Sequence, residues 1–564
     1  MFALRRCIFY APLTRTTPPV ASAMAQKRTF NEGKRHFKKN KKQKTSTVAE
    51  GSNEEVLLAD VRNLLKDVDI SEQTDETARP QPEERTEIDV TIKELSSTGD
   101  GLAEKDGQVY VVPFSAPGDV VTARVYKNFS DESYSLADFV KRVSKGPSST
   151  AEPQCPYFTQ CSGCQFQHMP YEAQLAHKKT IVEKAFRNFS NLPTSAVPAV
   201  GDTIGSPLQY GYRTKLTPHF DGPPGGRRDK RHGKPVTWPG VPAIGYMLKG
   251  TRKTMDIEDC PIGTEAVRKG MKRERVRVAA EINKYQKGAT LLLRESTTRE
   301  EKKEDKLEVS AEGEDEVVED RGQYVHRKIC ITDHKATATE YVDDFRFDNP
   351  AGAFFQNNNS ILPVVTQYIR DNILGSTMDG AADANSNGDT GGKPRIKHMV
   401  DAYCGSGFFT INLSRMFKQS IGIDVSAQSV EFASKNAKLN NLPEDATHFI
   451  AADANKLFES LDTKKFPPDE TVVVIDPSRK GCDEGFISQL LKYAPARVCY
   501  VSCNVHTQAR DVGWLVGGLP GDGDQPKHEG IYEIESLRGF DFFPQTSHVE
   551  GVAILRRKTP AAGP

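Results

Sequence analysis

Along the last third of the chain, short apolar runs alternate with stretches of helical period. The runs at 398–402, 420–423, 447–451, 471–475, 497–502 and 551–555 have the length and composition of strands buried in a sheet. Apolar positions Phe409, Ile411, Leu413 and Met416 then recur at helical spacing behind the first run, so this part predicts a doubly wound α/β sheet. Upstream, β-rich runs at 88–92, 109–114, 120–126 and 139–143 are broken by Gly and Asp turns such as Thr98-Gly99-Asp100-Gly101. They predict a small five-stranded OB-type β-barrel over residues 84–147, a fold that serves for oligonucleotide binding or for protein docking. Residues 148–345 mix one helix pattern, at 171–186, with shorter runs and predict a mixed α+β central domain. Residues 45–83 are polar and poor in aromatics and predict a linker, despite an amphipathic stretch at 56–68. The charged stretch 299–321 and the Gly/Asp/Asn/Ser-rich stretch 375–392 predict surface insertions, and the basic residues 227–234 an exposed loop able to meet phosphate.

Candidate chemistry collects where these runs end. In an open α/β sheet, ligands bind beyond the carboxyl ends of the strands. Cys503 follows the run 497–502 there, and Glu550 heads the run 551–555. A thiol and a carboxylate make a nucleophile and a base, although a lone cysteine is also an ordinary small core residue and a lone glutamate an ordinary edge charge. The run 398–402 closes on Tyr403-Cys404-Gly405-Ser406-Gly407, where glycine lets backbone approach a ligand at the start of a helix. Asp401, Asp424, Asp453 and Asp476 sit at or near four successive strand ends. Together they point to a nucleoside-binding sheet, with Asp424 placed to accept the hydroxyls of a ribose.

These residues resemble a known family. Phe354-Phe355-Gln356-Asn357-Asn358 is similar to the Phe-x-Gln-x-Asn signature of the uracil-C5 RNA methyltransferases, and Asp401 to Gly407 to their S-adenosylmethionine loop. Asp476-Pro477-Ser478-Arg479-Lys480-Gly481 resembles their Asp-Pro-x-Arg loop. Ser502-Cys503-Asn504, continued by Thr507, Ala509, Arg510 and Asp511, resembles their nucleophile motif, and His548-Val549-Glu550 their base motif. The five stand in the family's order. Three positions depart from it: Phe408 where many relatives carry Asn, Ser478 where many have a second Pro, and Val505 where Pro follows the Ser-Cys-Asn. None removes a reactive group.

The resemblance implies a C-terminal class I S-adenosylmethionine-dependent methyltransferase sheet, Rossmann-like, over residues 346–564, and an N-terminal barrel of the TRAM type. It implies that Cys503 is the nucleophile that adds to C6 of a uracil and that Glu550 removes the C5 proton. It assigns Gln356, Tyr403, Gly405, Asp424 and Asp476 to the cofactor or the reacting base, and Tyr212-Arg213-Thr214-Lys215 to a segment near bound RNA. Phe354 is either a stacking platform for an extruded base or ordinary core.

Cys155, Cys161 and Cys164 cluster upstream, and Cys260 is a plausible fourth ligand. Four thiolates suit zinc or an iron-sulfur cluster; three close cysteines with one distant partner favour 4Fe-4S, and the Cys-x5-Cys-x2-Cys-Gln run resembles the iron-sulfur branch of the same family. Its expected role is structural, because methyl transfer from a sulfonium needs no electron.

Composition changes the picture in two places. Ten cysteines in 564 residues, scattered outside the trio, exclude a secreted disulfide framework and fit a reducing, intracellular setting, and no apolar run approaches a membrane span. The formal net charge of zero hides segregation, since residues 27–44 carry nine Lys or Arg against the single acid Glu32. The first 31 residues hold no Asp or Glu and mix arginines with apolar and hydroxyl residues, as mitochondrial presequences do. Met24 offers an internal start that would expose the basic run as a nuclear address or an RNA arm, so the expectation is dual mitochondrial and nuclear or cytoplasmic destinations, with residues 1–83 a targeting and basic disordered tail. The family resemblance implies a 5-methyluridine-forming methyltransferase of the eukaryotic tRNA branch, acting on the T-loop uridine. Ribosomal RNA, RNA cytosine-C5 methylation and a noncatalytic tRNA-binding or folding protein are the alternatives.

Overall fold

The computed structural model describes residues 48–67, 82–225, 236–302, 313, 315–375, 396–452, 458, 461–521 and 525–559. The leader, the whole basic loop 227–234, all of the stretch 375–392 but Gly375, and Asp453 lie outside these residues. No helix among them is long and apolar enough to cross a membrane.

An eight-stranded sheet organises the C-terminal part of the chain. Its order is Thr447–Ala451, Gln419–Asp424, His398–Ala402, Thr471–Ile475, Arg497–Ser502, Glu550–Arg557, Tyr532–Phe540 and Gly201–Ile204. The first five strands are mutually parallel, and Glu550–Arg557 then turns antiparallel. The chain leaves His398–Ala402 first to one side and later to the other, which opens a crevice at the carboxyl ends of the strands. Alternate side chains serve opposite faces. Val400, Val473, Val498 and Tyr500 enter one core with helices Tyr171–Phe189, Glu484–Tyr493 and Val505–Gly517, while Met399, Val472, Val474 and Cys499 enter another with Leu362–Asn372 and Phe408–Leu413. The predicted runs and the observed strands agree to within a residue or two.

The barrel is also present. Glu87–Thr91 pairs with Val120–Phe129, and Glu94–Leu95 with Gly101–Lys105, so one bent segment closes the sheet that runs on through Gln108–Val112 and Tyr134–Ser144. Taking that segment as one strand gives the five-stranded OB-type order. Between barrel and sheet lie two four-stranded sheets, a hairpin and the helix Glu265–Glu281, which packs Val267 and Met271 against Leu293 and Cys330.

Two expectations are corrected. Residues 53–67, expected as linker, form the helix Asn53–Asp67, whose Val61 and Leu64 pack on Leu102, Val109 and Tyr134 of the barrel. Its apolar stripe is short and packs on the barrel, while Asp60 and Asn63 reach Lys184 and Asn188 of the helix Tyr171–Phe189 at 3.8 and 3.0 Å. The ends of the charged stretch 299–321 are strands: Leu293–Glu301 and Glu316–Arg321 flank Tyr324–Ile331. Cross-strand pairs such as Arg327 with Glu316 and Lys328 with Glu319 hold charged side chains on the ladder, where no apolar alternation announces a strand.

One buried ion pair fixes the loop that precedes Glu550. Lys178 and Asp541 are both fully buried and bonded to each other, and Lys178 Nζ also donates to the Phe543 carbonyl at 3.0 Å. Removing one member of such a pair strands a charge in the core. Lys178→Met is therefore expected to destabilise the fold by about 3–5 kcal/mol in denaturant unfolding, with part of the loss recovered when Asp541→Leu is added.

Candidate active site

Gln356, Tyr403, Gly405, Asp424, Asp476, Cys503 and Glu550 all line one cavity of about 740 Å³ at the carboxyl edge of the sheet. Strand register explains the meeting of the last two. Ser502 pairs with Gly551 across an antiparallel ladder, so Cys503 at the end of one strand and Glu550 at the start of the next reach the same edge.

Asp424 shapes one end of the cavity. Its Oδ2 accepts the Gly405 N–H at 3.0 Å and its Oδ1 the Ser426 N–H at 2.8 Å, which leaves carboxylate lone pairs for a ligand's hydroxyls. Gly407 stands at φ +88°, where a Cβ would press on Ile411 and Phe449 at 3.1 Å, so the turn needs glycine. Asp401 does not line the cavity. It is buried, and its Oδ2 accepts both the Thr410 N–H and hydroxyl, so it anchors the helix start and is not a ligand contact. Phe408, one of the departures, packs between Phe347, Phe355 and Phe409 and presents part of its ring to the cavity.

The reactive end is dominated by burial of acids. Burial, then Asp476, pushes the Glu550 carboxyl well above its ordinary range, and burial, then Asp401, takes Asp476 to about 7. Burial, then the Glu550 and Asp476 charges, pushes the Cys503 thiol up to about 12, and the Arg479 guanidinium opposes that rise by its charge and by a hydrogen bond. His548 is driven down to about 4, chiefly by burial, and is neutral near pH 7.

Arg479 also lines the cavity, at a motif position to which the sequence alone assigns no role. Its loop is clamped by the residues that follow Cys503. Asn504 Nδ2 and Thr507 Oγ1 donate to the Arg479 carbonyl at 2.9 and 3.2 Å, Arg510 Nη2 donates to the Lys480 and Cys482 carbonyls at 3.0 Å each, and Asp511 Oδ2 accepts the Cys482 N–H at 2.7 Å. The extended nucleophile motif thus positions the arginine. A thiol held high is a poorer nucleophile at neutral pH, because the thiolate fraction falls tenfold per unit. Arg479→Met is expected to raise the thiol further and lower turnover about 10- to 100-fold near neutrality. Because the wild-type thiol already sits at about 12, the loss should stay constant across neutral and mildly alkaline pH in a pH–rate profile.

Phe354 and Phe355 divide their labour. Phe354 is 74% exposed on the cavity wall, whereas Phe355 is 3% exposed in the core. Asn358 is buried and donates to Ser206 Oγ and the Phe542 carbonyl, pinning this segment to the loop after Tyr532–Phe540. From that loop Phe543 faces the cavity with the Arg213 guanidinium 5.7 Å from its ring centroid. Phe543 carried no sequence signal of its own. Tyr212 is core, with its hydroxyl on the Pro544 carbonyl.

Cys155, Cys161, Cys164 and Cys260 lie apart from this cavity and near one another. Burial raises the Cys164 and Cys260 thiols to about 12, and the charges of neighbouring thiols in the set add to both. Among the described residues, no group of three or more Cys, His, Asp or Glu is arranged to hold a metal ion.

The family profile described as tRNA (Uracil-5-)-methyltransferase matches residues 393–558, and that of the TRAM domain residues 81–130. A curated tRNA (uracil(54)-C(5))-methyltransferase of Schizosaccharomyces pombe is 42% identical over 530 residues, which covers 93% of this chain and 87% of the relative. The protein of the same name from Saccharomyces cerevisiae is 40% identical over 501 residues, covering 83% and 73%. Among solved structures, Pyrococcus abyssi tRNA (uracil-54, C5)-methyltransferase in complex with S-adenosyl-L-homocysteine superposes with a TM-score of 0.55 over 83% of this chain and all of its own, at 21% identity, and so shares the fold.

Proposed function

The chain belongs to the tRNA (uracil-5-)-methyltransferase family, and from that premise we propose that it methylates C5 of a uridine in tRNA, uridine 54 being the position in its fungal relatives' names. The TRAM-type barrel, a fold suited to oligonucleotides, supports an RNA substrate. The observation that carries the reading is the Ser502–Gly551 register, which brings Cys503 and Glu550 to one cavity edge beside Arg479.

S-adenosylmethionine supplies an electrophilic methyl group. The cavity suits it, because Asp424 keeps acceptors for ribose hydroxyls and because a sulfonium cation beside Asp476 and Glu550 favours the charged forms that burial opposes. Gln356, Tyr403 and Gly405 complete its wall.

The chain's own residues do the rest. Uracil C5 is too electron-poor to attack a methyl group, so the Cys503 thiolate adds to C6 and moves electron density onto C5. Once C5 carries the methyl group, Glu550 takes its remaining proton, and those electrons re-form the C5–C6 double bond as the C6–S bond breaks and the thiolate leaves. A carboxylate whose proton affinity is raised by burial is the stronger base for that step. Phe354 offers an exposed ring on which an extruded uracil stacks. Nucleoside mass spectrometry of tRNA from cells with and without the chain tests the assignment: loss of 5-methyluridine is expected, restored by the intact chain, and an unchanged level would refute it.

For Cys155, Cys161, Cys164 and Cys260 we propose a 4Fe-4S cluster with a structural role. Four thiols that act on one another suit either group, and the spacing of three close cysteines with one distant partner is what favours the cluster over zinc. Anaerobic purification should yield four irons and four sulfides per chain; one zinc instead would decide against it.

A further inference from the structure

The approach to Glu550 is not a regular strand. Residues 541–549 cross from Tyr532–Phe540 to Glu550–Arg557, and within them Gln545 stands at φ +71°, a conformation that a side chain other than glycine's keeps only when its surroundings impose it. The surroundings do so with named bonds. The Gln545 carbonyl accepts the N–H groups of Gln165 at 2.7 Å and Phe166 at 3.1 Å, and its own N–H donates to Gln174 Oε1 at 3.0 Å. Gln174 Nε2 returns a bond to Gln545 Oε1 at 3.1 Å.

Gln165 then holds the next turn as well. Its Oε1 accepts the Ser547 N–H at 3.0 Å, and its Nε2 donates at 2.7 Å to the Thr98 carbonyl, which also accepts the Ser547 hydroxyl at 3.1 Å. One side chain therefore uses both ends of its amide, and its backbone N–H besides. It joins the Thr98 turn of the barrel to the segment that delivers His548 and Glu550 to the cavity. Gln165 also follows Cys164 directly, so the cysteine-bearing loop is part of the same brace.

We propose that Gln165 is a positioning residue for the base: by clamping Ser547 it sets where the strand Glu550–Arg557 begins, and so the placement of Glu550 against the C5 proton of the adduct. This rests on the reading of Glu550 as the base. A residue that merely held two parts of the fold together would lower every step alike, or lower stability. A residue that aims the base slows the last step selectively, after the C6–S bond has formed.

The test is the partition between covalent adduct and released product. Gln165→Leu keeps the volume and removes both side-chain bonds; Gln165→Glu keeps the acceptor for the Ser547 N–H and gives up the donor to Thr98. With tRNA and S-adenosylmethionine, Gln165→Leu is expected to lower kcat about 10- to 100-fold without raising KM, and to hold an adduct fraction approaching that of Glu550→Gln. Gln165→Glu sets a carboxylate oxygen against the Thr98 carbonyl while keeping the Ser547 bond, so it is expected to lose less kcat than Gln165→Leu and to lose it at the same step, with adduct between wild type and Gln165→Leu. A loss of kcat in either variant with no more adduct than wild type overturns the clamp alone. Absence of adduct in Glu550→Gln overturns the base assignment and the clamp with it. Should Gln165→Leu fail to fold, Gln165→Glu decides: lost kcat with accumulated adduct supports the clamp, and lost kcat without adduct, or no loss, overturns it.

Discussion

Cys503→Ala is expected to abolish 5-methyluridine formation, with turnover falling about 10⁵-fold or more to background, while tRNA binding survives. The size of the effect follows from the chemistry. Without addition at C6, C5 never becomes electron-rich, and neither the methyl donor nor the base can compensate. A second thiol, Cys404, lines the same cavity, and it offers no rescue. It is buried, its sulfur lies 3.6 Å from the Gly405 carbonyl oxygen, and burial with the nearby Asp401 and Asp424 charges holds it well above the ordinary range, with no cation opposing. Only Cys503 combines a strand-end position with an arginine. Cys404→Ser should accordingly keep most of the activity in the assay that Cys503→Ala fails.

Glu550→Gln is expected to lower turnover about 10²- to 10⁴-fold, yet to accumulate enzyme covalently joined to methylated RNA, approaching one RNA per chain. The two halves of that result separate the base from the nucleophile. Glu550 acts after the bond to sulfur has formed, so its loss stops elimination and not addition. Its neutral replacement also removes one of the charges that raise the Cys503 thiol, so addition should begin at a lower pH than in the wild type. Denaturing gel electrophoresis with labelled RNA reads the adduct. A drop in turnover with no adduct would mean that Glu550 serves an earlier step.

Much of the catalytic half was legible because its physics is local. Runs such as 471–475 and 497–502 are buried on both faces and apolar apart from the end residues Thr471, Arg497 and Ser502, and the reactive residues sit where those runs stop. Binding at strand ends then follows from the fold class. The rest depended on partners distant in sequence. The helix Asn53–Asp67 finds its partners in the barrel and in the helix Tyr171–Phe189, the short strand Gly201–Ile204 joins the sheet by pairing with Tyr532–Phe540, and the strands flanking Tyr324–Ile331 carry charges that pair across the ladder. Arg479 shows the same limit within the site. Its motif was visible, but its place beside the thiol depends on Asn504, Thr507 and Arg510 gripping its loop from another helix. Asp401 shows the converse, an acid near a strand end that the fold spends on its own helix start.

The account turns on a transient bond between the Cys503 sulfur and C6 of the target uracil. A tRNA transcript carrying 5-fluorouridine at the target position tests it most directly, since fluorine at C5 cannot leave as a proton and the adduct cannot eliminate. Mass mapping after incubation with S-adenosylmethionine should find the methylated nucleotide on the peptide that contains Cys503, and none with Cys503→Ala. A protein that methylates unmodified tRNA briskly but yields no linked species with the fluorinated transcript would contradict the account.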